Sequence, residues 1–117
     1  MQSTQITLHN IRRSPALSAR IRELAERLEI HYPEILNIRV AVSHESGHPK
    51  KGGPYGVTVR VRIPGNELVA SHESDEDVYV AVRESFLAMR HQLVQAAEAA
   101  RQAAWEKAKK STIEVQQ

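Results

Sequence analysis

Apolar and polar residues alternate in four short segments of the chain, a pattern typical of strands with one buried side and one side in water. These segments are Gln5–Ile11, Ile35–His44, Tyr55–Ile63 and Glu67–Glu73. In the third segment valine and isoleucine alternate with threonine and arginine, so the aliphatic side chains are predicted to face a core. Pro64–Asn66 provides a tight turn between the third and fourth strands.

Two other segments carry apolar residues at the three- and four-residue spacing of an amphipathic helix. The first is predicted over residues 15–30, with Ser14 as its N-cap and a proline at its first position. The second is predicted to begin at Ser74, because Ser74 and Asp77 form a pattern similar to a capping box. Its alanine-rich sequence predicts a helix that continues past Trp105.

The predicted order of elements is β-α-β-β-β-α, which is an α+β fold. A helical crossover makes the first two strands parallel neighbours, and short turns make the remaining strands an antiparallel meander. Both helices are then expected to cover one face of a four-stranded mixed sheet, with the opposite face in water. We expect one domain over residues 1–100, followed by a C-terminal helical extension and tail over residues 101–117.

Composition limits the class of protein. With 117 residues, 41% hydrophobic and 26% charged, the chain has the composition of one globular domain. It contains no cysteine, which excludes disulfides, thiolate metal sites and a cysteine nucleophile. The sequence has no apolar run near the ~20 residues of a membrane helix and no signal-peptide core, so we expect a cytoplasmic protein.

Charge is distributed unevenly along the chain, although the net charge is only +2. Residues 1–66 hold ten Lys or Arg against five Asp or Glu, residues 67–78 hold five acids and no base, and residues 79–117 hold six bases against four acids. A basic half without a catalytic motif favours a polyanionic partner such as RNA or DNA. The alternative is a solvated surface that only maintains solubility.

The candidate binding residues are basic side chains at exposed positions. Arg39, Arg60 and Arg62 are predicted to project from the open face of the sheet, and Lys50 and Lys51 lie in the glycine-rich loop before the third strand. Phosphate binding needs such donors, and the planar guanidinium of arginine can contact two oxygens at once. The alternative for the sheet arginines is that they only protect an open face from aggregation.

The sequence provides no catalytic or metal-binding motif. It lacks the G-x-S-x-G, P-loop and dinucleotide-binding patterns. The acidic residues 73–77 are explained by a helix start, where negative charge is favourable. His44 and His48 are four residues apart but lie at a strand end and in a loop, which is not the helical geometry of a metal site. We therefore expect no enzyme, no metal, no cofactor and no small-molecule substrate.

Five segments carry a family resemblance that covers about residues 4–95. They are Val57–Ser71 (VTVRVRIPGNELVAS), Glu76–Val82, Gln92-Leu93, Ser14–Leu17 and Arg27–Glu29. Taken together and in their chain order, they resemble the ribosome hibernation-promoting factor family, also called ribosome-associated translation inhibitors or sigma-factor modulation proteins. None of the five is a catalytic motif.

The resemblance implies a fold related to double-stranded RNA-binding domains. It also implies a stress-response role in which the protein occupies the decoding channel of the small ribosomal subunit, contacts its ribosomal RNA and excludes messenger and transfer RNA. The loop His48–Tyr55 is similar to a subgroup with a longer second hairpin. From its length we expect the short type, which lacks the C-terminal dimerisation domain by which long members pair ribosomes.

The second helix departs from the family pattern Lys-Leu-x-Arg-Gln-Leu-x-Lys. Residues 88–95 read AMRHQLVQ, so two basic positions are absent and a third is His91, while Arg83 and Arg90 partly compensate. Arg27 matches a basic position of the family. The predicted RNA-binding set is Arg27, Arg39, Lys50, Lys51, Arg60, Arg62, Arg83, Arg90 and His91.

Two functions therefore stay open at the level of sequence. The first is a non-enzymatic module that binds small-subunit ribosomal RNA and blocks translation by occupancy. The second is a protein–protein regulator on the same fold, a homodimer that pairs through the open sheet face or through the alanine-rich terminal helix with Trp105. The missing basic residues of the second helix motivate the second function.

Overall fold

The computed structural model describes residues 4–44, 54–74 and 77–115, and the side chains up to residue 110. Its elements are β1 (Thr4–His9), α1 (Pro15–His31), β2 (Asn37–His44), β3 (Tyr55–Ile63), β4 (Asn66–Ser74) and α2 (Val78–Val115). The order β-α-β-β-β-α confirms the predicted α+β fold.

The four strands form one mixed sheet in the order β1-β2-β3-β4. β1 runs parallel to β2, and β3 is antiparallel to both of its neighbours, as the connections predicted. The turn between β3 and β4 contains Gly65 with a φ of 80°, a left-handed conformation that glycine adopts without steric cost.

The core lies between one face of this sheet and the two helices. The sheet contributes six aliphatic side chains that are at most 1% exposed: Ile38, Val40, Val42, Val57, Val59 and Val61. The helices contribute Leu17, Ile21, Ala25 and Leu28 from α1, and Ala81, Val82, Phe86, Met89 and Leu93 from α2. Residues between the buried ones in β2 and β3 are exposed or partly exposed, so both helices cover one face and the other is open to water.

A polar contact fixes α2 against the edge strand β4. The side-chain amide of Gln92 donates a hydrogen bond of 2.6 Å to the backbone carbonyl of Val69. An edge strand presents backbone groups that could pair with another chain, and a side chain from a covering helix reduces that risk. Gln92 thus holds α2 against the sheet edge by a hydrogen bond, and its neighbour Leu93 packs in the hydrophobic core.

Two strand boundaries differ from the predicted ones by two residues, each for a local backbone reason, and the start of β1 and both ends of β4 differ by one. β1 stops before Asn10, whose φ of 59° is left-handed and turns the chain, so Ile11 lies outside the strand. β2 starts at Asn37 instead of Ile35, because the Ile35 N–H donates to the carbonyl of Tyr32 and closes the turn after α1.

The predicted start of the second helix at Ser74 is wrong. Ser74 is the last residue of β4, where it pairs with Tyr55, and α2 begins at Val78. Asp77 is the cap, since its carboxylate accepts the N–H of Tyr79 at 2.8 Å. The Ser74 hydroxyl accepts a long bond, of 3.4 Å, from the N–H of Asp77. Strand pairing holds Ser74 in β4, so the carboxylate of Asp77 accepts the free N–H at the start of the helix instead.

The second helix extends far beyond the core. α2 has 38 residues, or about 57 Å of helix, and its last buried residue is Leu93. We call residues 98–110, all exposed, the C-terminal arm. The arm raises the radius of gyration to 18.4 Å, against about 13 Å for a compact domain of this length. Neither α1 nor the described part of α2 combines the length and apolarity needed to cross a membrane.

Removal of the α2 cap should lower stability. We expect Asp77→Ala to reduce the free energy of unfolding by about 0.5–2 kcal/mol, because the N–H of Tyr79 loses its acceptor. Asp77→Asn keeps an acceptor oxygen and should lose less. Urea denaturation followed by circular dichroism measures both variants. Equal losses in the two would contradict the cap.

Candidate nucleic-acid interface

Three of the predicted residues lie together on the open face of the sheet. Arg39 of β2 is directly opposite Arg60 of β3, and Arg62 of β3 lies between Asn37 and Glu67 of the neighbouring strands. All three arginines are exposed. We call Arg39, Arg60 and Arg62 the sheet cluster. Its members come together because the alternation that buries valine on β2 and β3 turns the intervening residues to the other side.

The positive charge of the sheet cluster is only weakly balanced. Arg60 Nη1 lies 3.8 Å from Glu67 Oε1, and the two side chains are 49% and 43% exposed, so this ion pair contributes little. Within the described residues, Arg39 and Arg62 have no carboxylate within salt-bridge distance. Like charges directly opposite each other destabilise a sheet. An anion bound over Arg39 and Arg60 would remove that repulsion.

A second group of arginines lines an open groove of about 320 Å³ between the two helices. We call this the helix groove. Its basic residues are Arg20, Arg27, Arg83 and Arg90, and its apolar residues are Leu24, Leu28, Phe86 and Leu87. The helix groove lies in the helix layer, on the side of the molecule away from the open sheet face. Three residues of the predicted RNA-binding set, Arg27, Arg83 and Arg90, line this groove.

The spacing of the arginines explains why they converge. Arg20 and Arg27 are seven residues apart on α1, and Arg83 and Arg90 are seven apart on α2. Seven residues make about two helical turns, so each pair lies on one face of its helix. Arg20 is absent from the predicted set because the arginines of α1 alternate with glutamates. The repeated spacing of seven is the signal that identifies it.

Carboxylates partly neutralise the helix groove. Glu23 contacts Arg20 at 2.7 Å and Arg27 at 3.2 Å, and Glu84 lies 3.4 Å from Arg83. The hydrogen bond from Arg20, followed by the positive charges of Arg20 and Arg27, lowers the pKa of Glu23 below its ordinary value. Two carboxylates thus face four guanidinium groups, so the groove keeps a surplus of positive charge.

Three residues of the predicted set belong to neither description above: His91, Lys50 and Lys51. His91 is exposed on α2 but does not line the helix groove. Lys50 and Lys51, predicted from the sequence to bind RNA, lie outside the described residues. Among the residues that the structure does describe, no three His, Asp or Glu side chains are grouped closely enough to hold a metal ion.

Comparison with known proteins finds one matching family model and solved structures of the same fold. Residues 4–101 match the model of a family described as Sigma 54 modulation protein / S30EA ribosomal protein. No curated protein matches the sequence. A ribosomal subunit interface protein from Coxiella burnetii is 25% identical, with a TM-score of 0.70 over 81% of this chain and 97% of that chain. The N-terminal domain of Protein Y from Thermus thermophilus is 17% identical, with a TM-score of 0.64 over 79% and 94%, which shows a shared fold.

The two arginines beside Glu23 should affect its pKa unequally. Arg20→Gln removes the shorter hydrogen bond, of 2.7 Å, and should return the pKa of Glu23 toward its ordinary value. Arg27→Gln removes a longer bond of 3.2 Å and the weaker of the two charge effects, so it should shift that pKa less. A pH titration of the Glu23 carboxyl signal by NMR measures both shifts. Because the folded-state pKa is lowered, any stabilisation is present above the ordinary pKa and lost as pH falls through the lowered value. Equal shifts in the two variants would contradict this geometry.

Proposed function

We propose that this chain, which belongs to the Sigma 54 modulation protein / S30EA ribosomal protein family, binds ribosomal RNA of the small subunit. In this proposal the protein occupies the decoding channel and blocks messenger and transfer RNA by its presence, without catalysis. The family description and the likeness to a structure described as a ribosomal subunit interface protein support an association with ribosomes. The protein would act in the cytoplasm, in cells that reduce translation under stress.

The observation that carries this proposal is the position of the exposed arginines on two opposite outer surfaces. The sheet cluster lies on the open face, and the helix groove lies in the helix layer on the other side. A protein that binds a flat RNA surface needs one basic side. A protein that fills a channel between two walls of RNA meets phosphates on both, and this chain offers donors to both.

The chemistry at both surfaces suits the RNA backbone. Exposed guanidinium groups can each contact two phosphate oxygens, and contacts of this kind position a protein without reading bases. Glu23, Glu67 and Glu84 form only exposed ion pairs with the arginines, so a phosphate can replace them at little cost. Binding of this type blocks a channel by occupancy and needs no reactive group.

Ribosome binding should weaken steeply with salt, and each cluster should contribute to the slope. Co-sedimentation with small subunits across a salt series measures the slope of log affinity against log salt. We expect Arg83→Gln with Arg90→Gln, or Arg39→Gln with Arg60→Gln and Arg62→Gln, to reduce that slope by about one unit for each phosphate that the variant no longer neutralises.

The matched control for the α2 pair is Arg13→Gln with Arg22→Gln. These two arginines line a different pocket beside β1, and their removal changes net charge by the same amount. The control should keep the wild-type slope. An equal loss in the control would mean that net charge alone drives binding, and failure of the wild-type protein to co-sediment at low salt would contradict the proposal.

Removal of the carboxylate between Arg20 and Arg27 should tighten RNA binding. Glu23→Gln releases both guanidinium groups, and we expect affinity for ribosomal RNA to rise about two- to fivefold, because exposed ion pairs of this kind are weak. Glu29→Gln makes the same charge change on α1 away from the helix groove and serves as control. Fluorescence anisotropy of labelled RNA measures both, and equal gains would contradict a specific role of Glu23.

A further inference from the structure

An exposed row of arginines continues from the helix groove along α2 onto the C-terminal arm. At about 100° per residue, Arg83, Arg90 and Arg101 lie within about 20° of one another around the helix axis. Arg83 and Arg90 line the helix groove, whereas Arg101 belongs to the arm. The row is therefore continuous with one of the two proposed RNA-binding surfaces and extends beyond the folded core.

Large apolar side chains accompany this row. Leu87, Val94 and Trp105 lie about 20–40° to one side of it and are 45%, 47% and 59% exposed. Trp105 is twelve residues past Leu93, the last buried residue, and is not part of the hydrophobic core. Packing within the chain therefore does not account for a tryptophan at this position.

The surroundings of Trp105 are positively charged. The arm carries four basic residues and two acids: Arg101, Lys107, Lys109, Lys110, Glu98 and Glu106. The Lys109 ammonium lies 5.1 Å from the centre of the Trp105 ring, within the range of a cation–π contact. The ion pair between Arg101 and Glu98 is exposed on both sides and is easily exchanged for a phosphate.

We propose that the C-terminal arm is a further RNA-binding element, in which the ring of Trp105 stacks on an unpaired base while Arg101 and the arm lysines contact phosphates. This inference rests on the proposed RNA binding, because the arm continues the row that starts in the helix groove. An aromatic ring next to cations is the usual arrangement for single-stranded RNA, whose bases can leave the stack. The ligand is therefore RNA with at least one unpaired base.

Charge decides between RNA and a second copy of the chain as the occupant of the arm. Two arms packed together would bring two positively charged surfaces into contact, which is unfavourable. A polyanion has the complementary charge. The family match ends at residue 101, so Trp105 and the three lysines lie beyond the part of the chain that it assigns.

The test uses the intrinsic fluorescence of the full chain, since Trp105 is its only tryptophan. A labelled single-stranded 12-nucleotide RNA and a fully paired 12-base-pair RNA are titrated at low salt, and binding is followed by anisotropy of the label. We expect the single strand to quench Trp105 with the same midpoint as its anisotropy curve, and the duplex to quench much less. Trp105→Ala should weaken single-strand binding about five- to hundredfold, and Trp105→Phe should retain most of it.

Gln102→Ala on the same arm is the control, and circular dichroism verifies that each variant keeps its helix. If RNA binds by anisotropy while Trp105 emission stays constant and Trp105→Ala has wild-type affinity, the arm proposal is overturned and the proposed function stands. If neither RNA nor ribosomes bind the wild-type chain, both are overturned. A change of emission with protein concentration alone would overturn the arm proposal in favour of self-association.

Discussion

The structure depends on the burial of one face of the sheet. Val57, Val59 and Val61 of β3 face the helices, and Arg60 and Arg62 are fixed on the other side by the two-residue period of a strand. A slip of one residue would bury the arginines and expose the valines, which no packing of α1 and α2 could compensate. The hydrophobic core therefore determines the register, and the register determines where the positive charge of the sheet cluster lies.

The two basic surfaces share an electrostatic design. In each, a few carboxylates lie next to more numerous arginines: Glu67 beside the sheet cluster, and Glu23 and Glu84 beside the arginines of the helix groove. Because these pairs are exposed, they reduce repulsion in the free protein without committing the guanidinium groups. The free chain thereby carries a net charge of only +2 and still offers several phosphate-binding donors on each side.

The sequence predicts correctly those features of the fold that depend on local patterns of apolar and polar residues. The bounds of β3 are as predicted, and the mixed sheet and the outward direction of Arg39, Arg60 and Arg62 follow from alternation. The prediction fails where a strand signal and a helix-cap signal overlap. Ser74 is the predicted start of the helix, but it pairs with Tyr55 in β4, and Asp77 caps the helix. The prediction also misses the helix groove, because convergence of residues on α1 and α2 is set by tertiary packing. The RNA-binding roles of all nine predicted residues, Lys50 and Lys51 among them, stay predictions.

The continuity of α2 has a mechanical consequence. Between Val78 and Val115 the helix contains neither glycine nor proline, so the axial distance of about 33 Å from Arg83 to Trp105 is set by helical rise. A flexible tail of equal length would sample many distances and lose entropy on binding. A continuous helix instead holds Trp105 at a fixed distance from the core, so the position of the bound domain also determines where Trp105 lies.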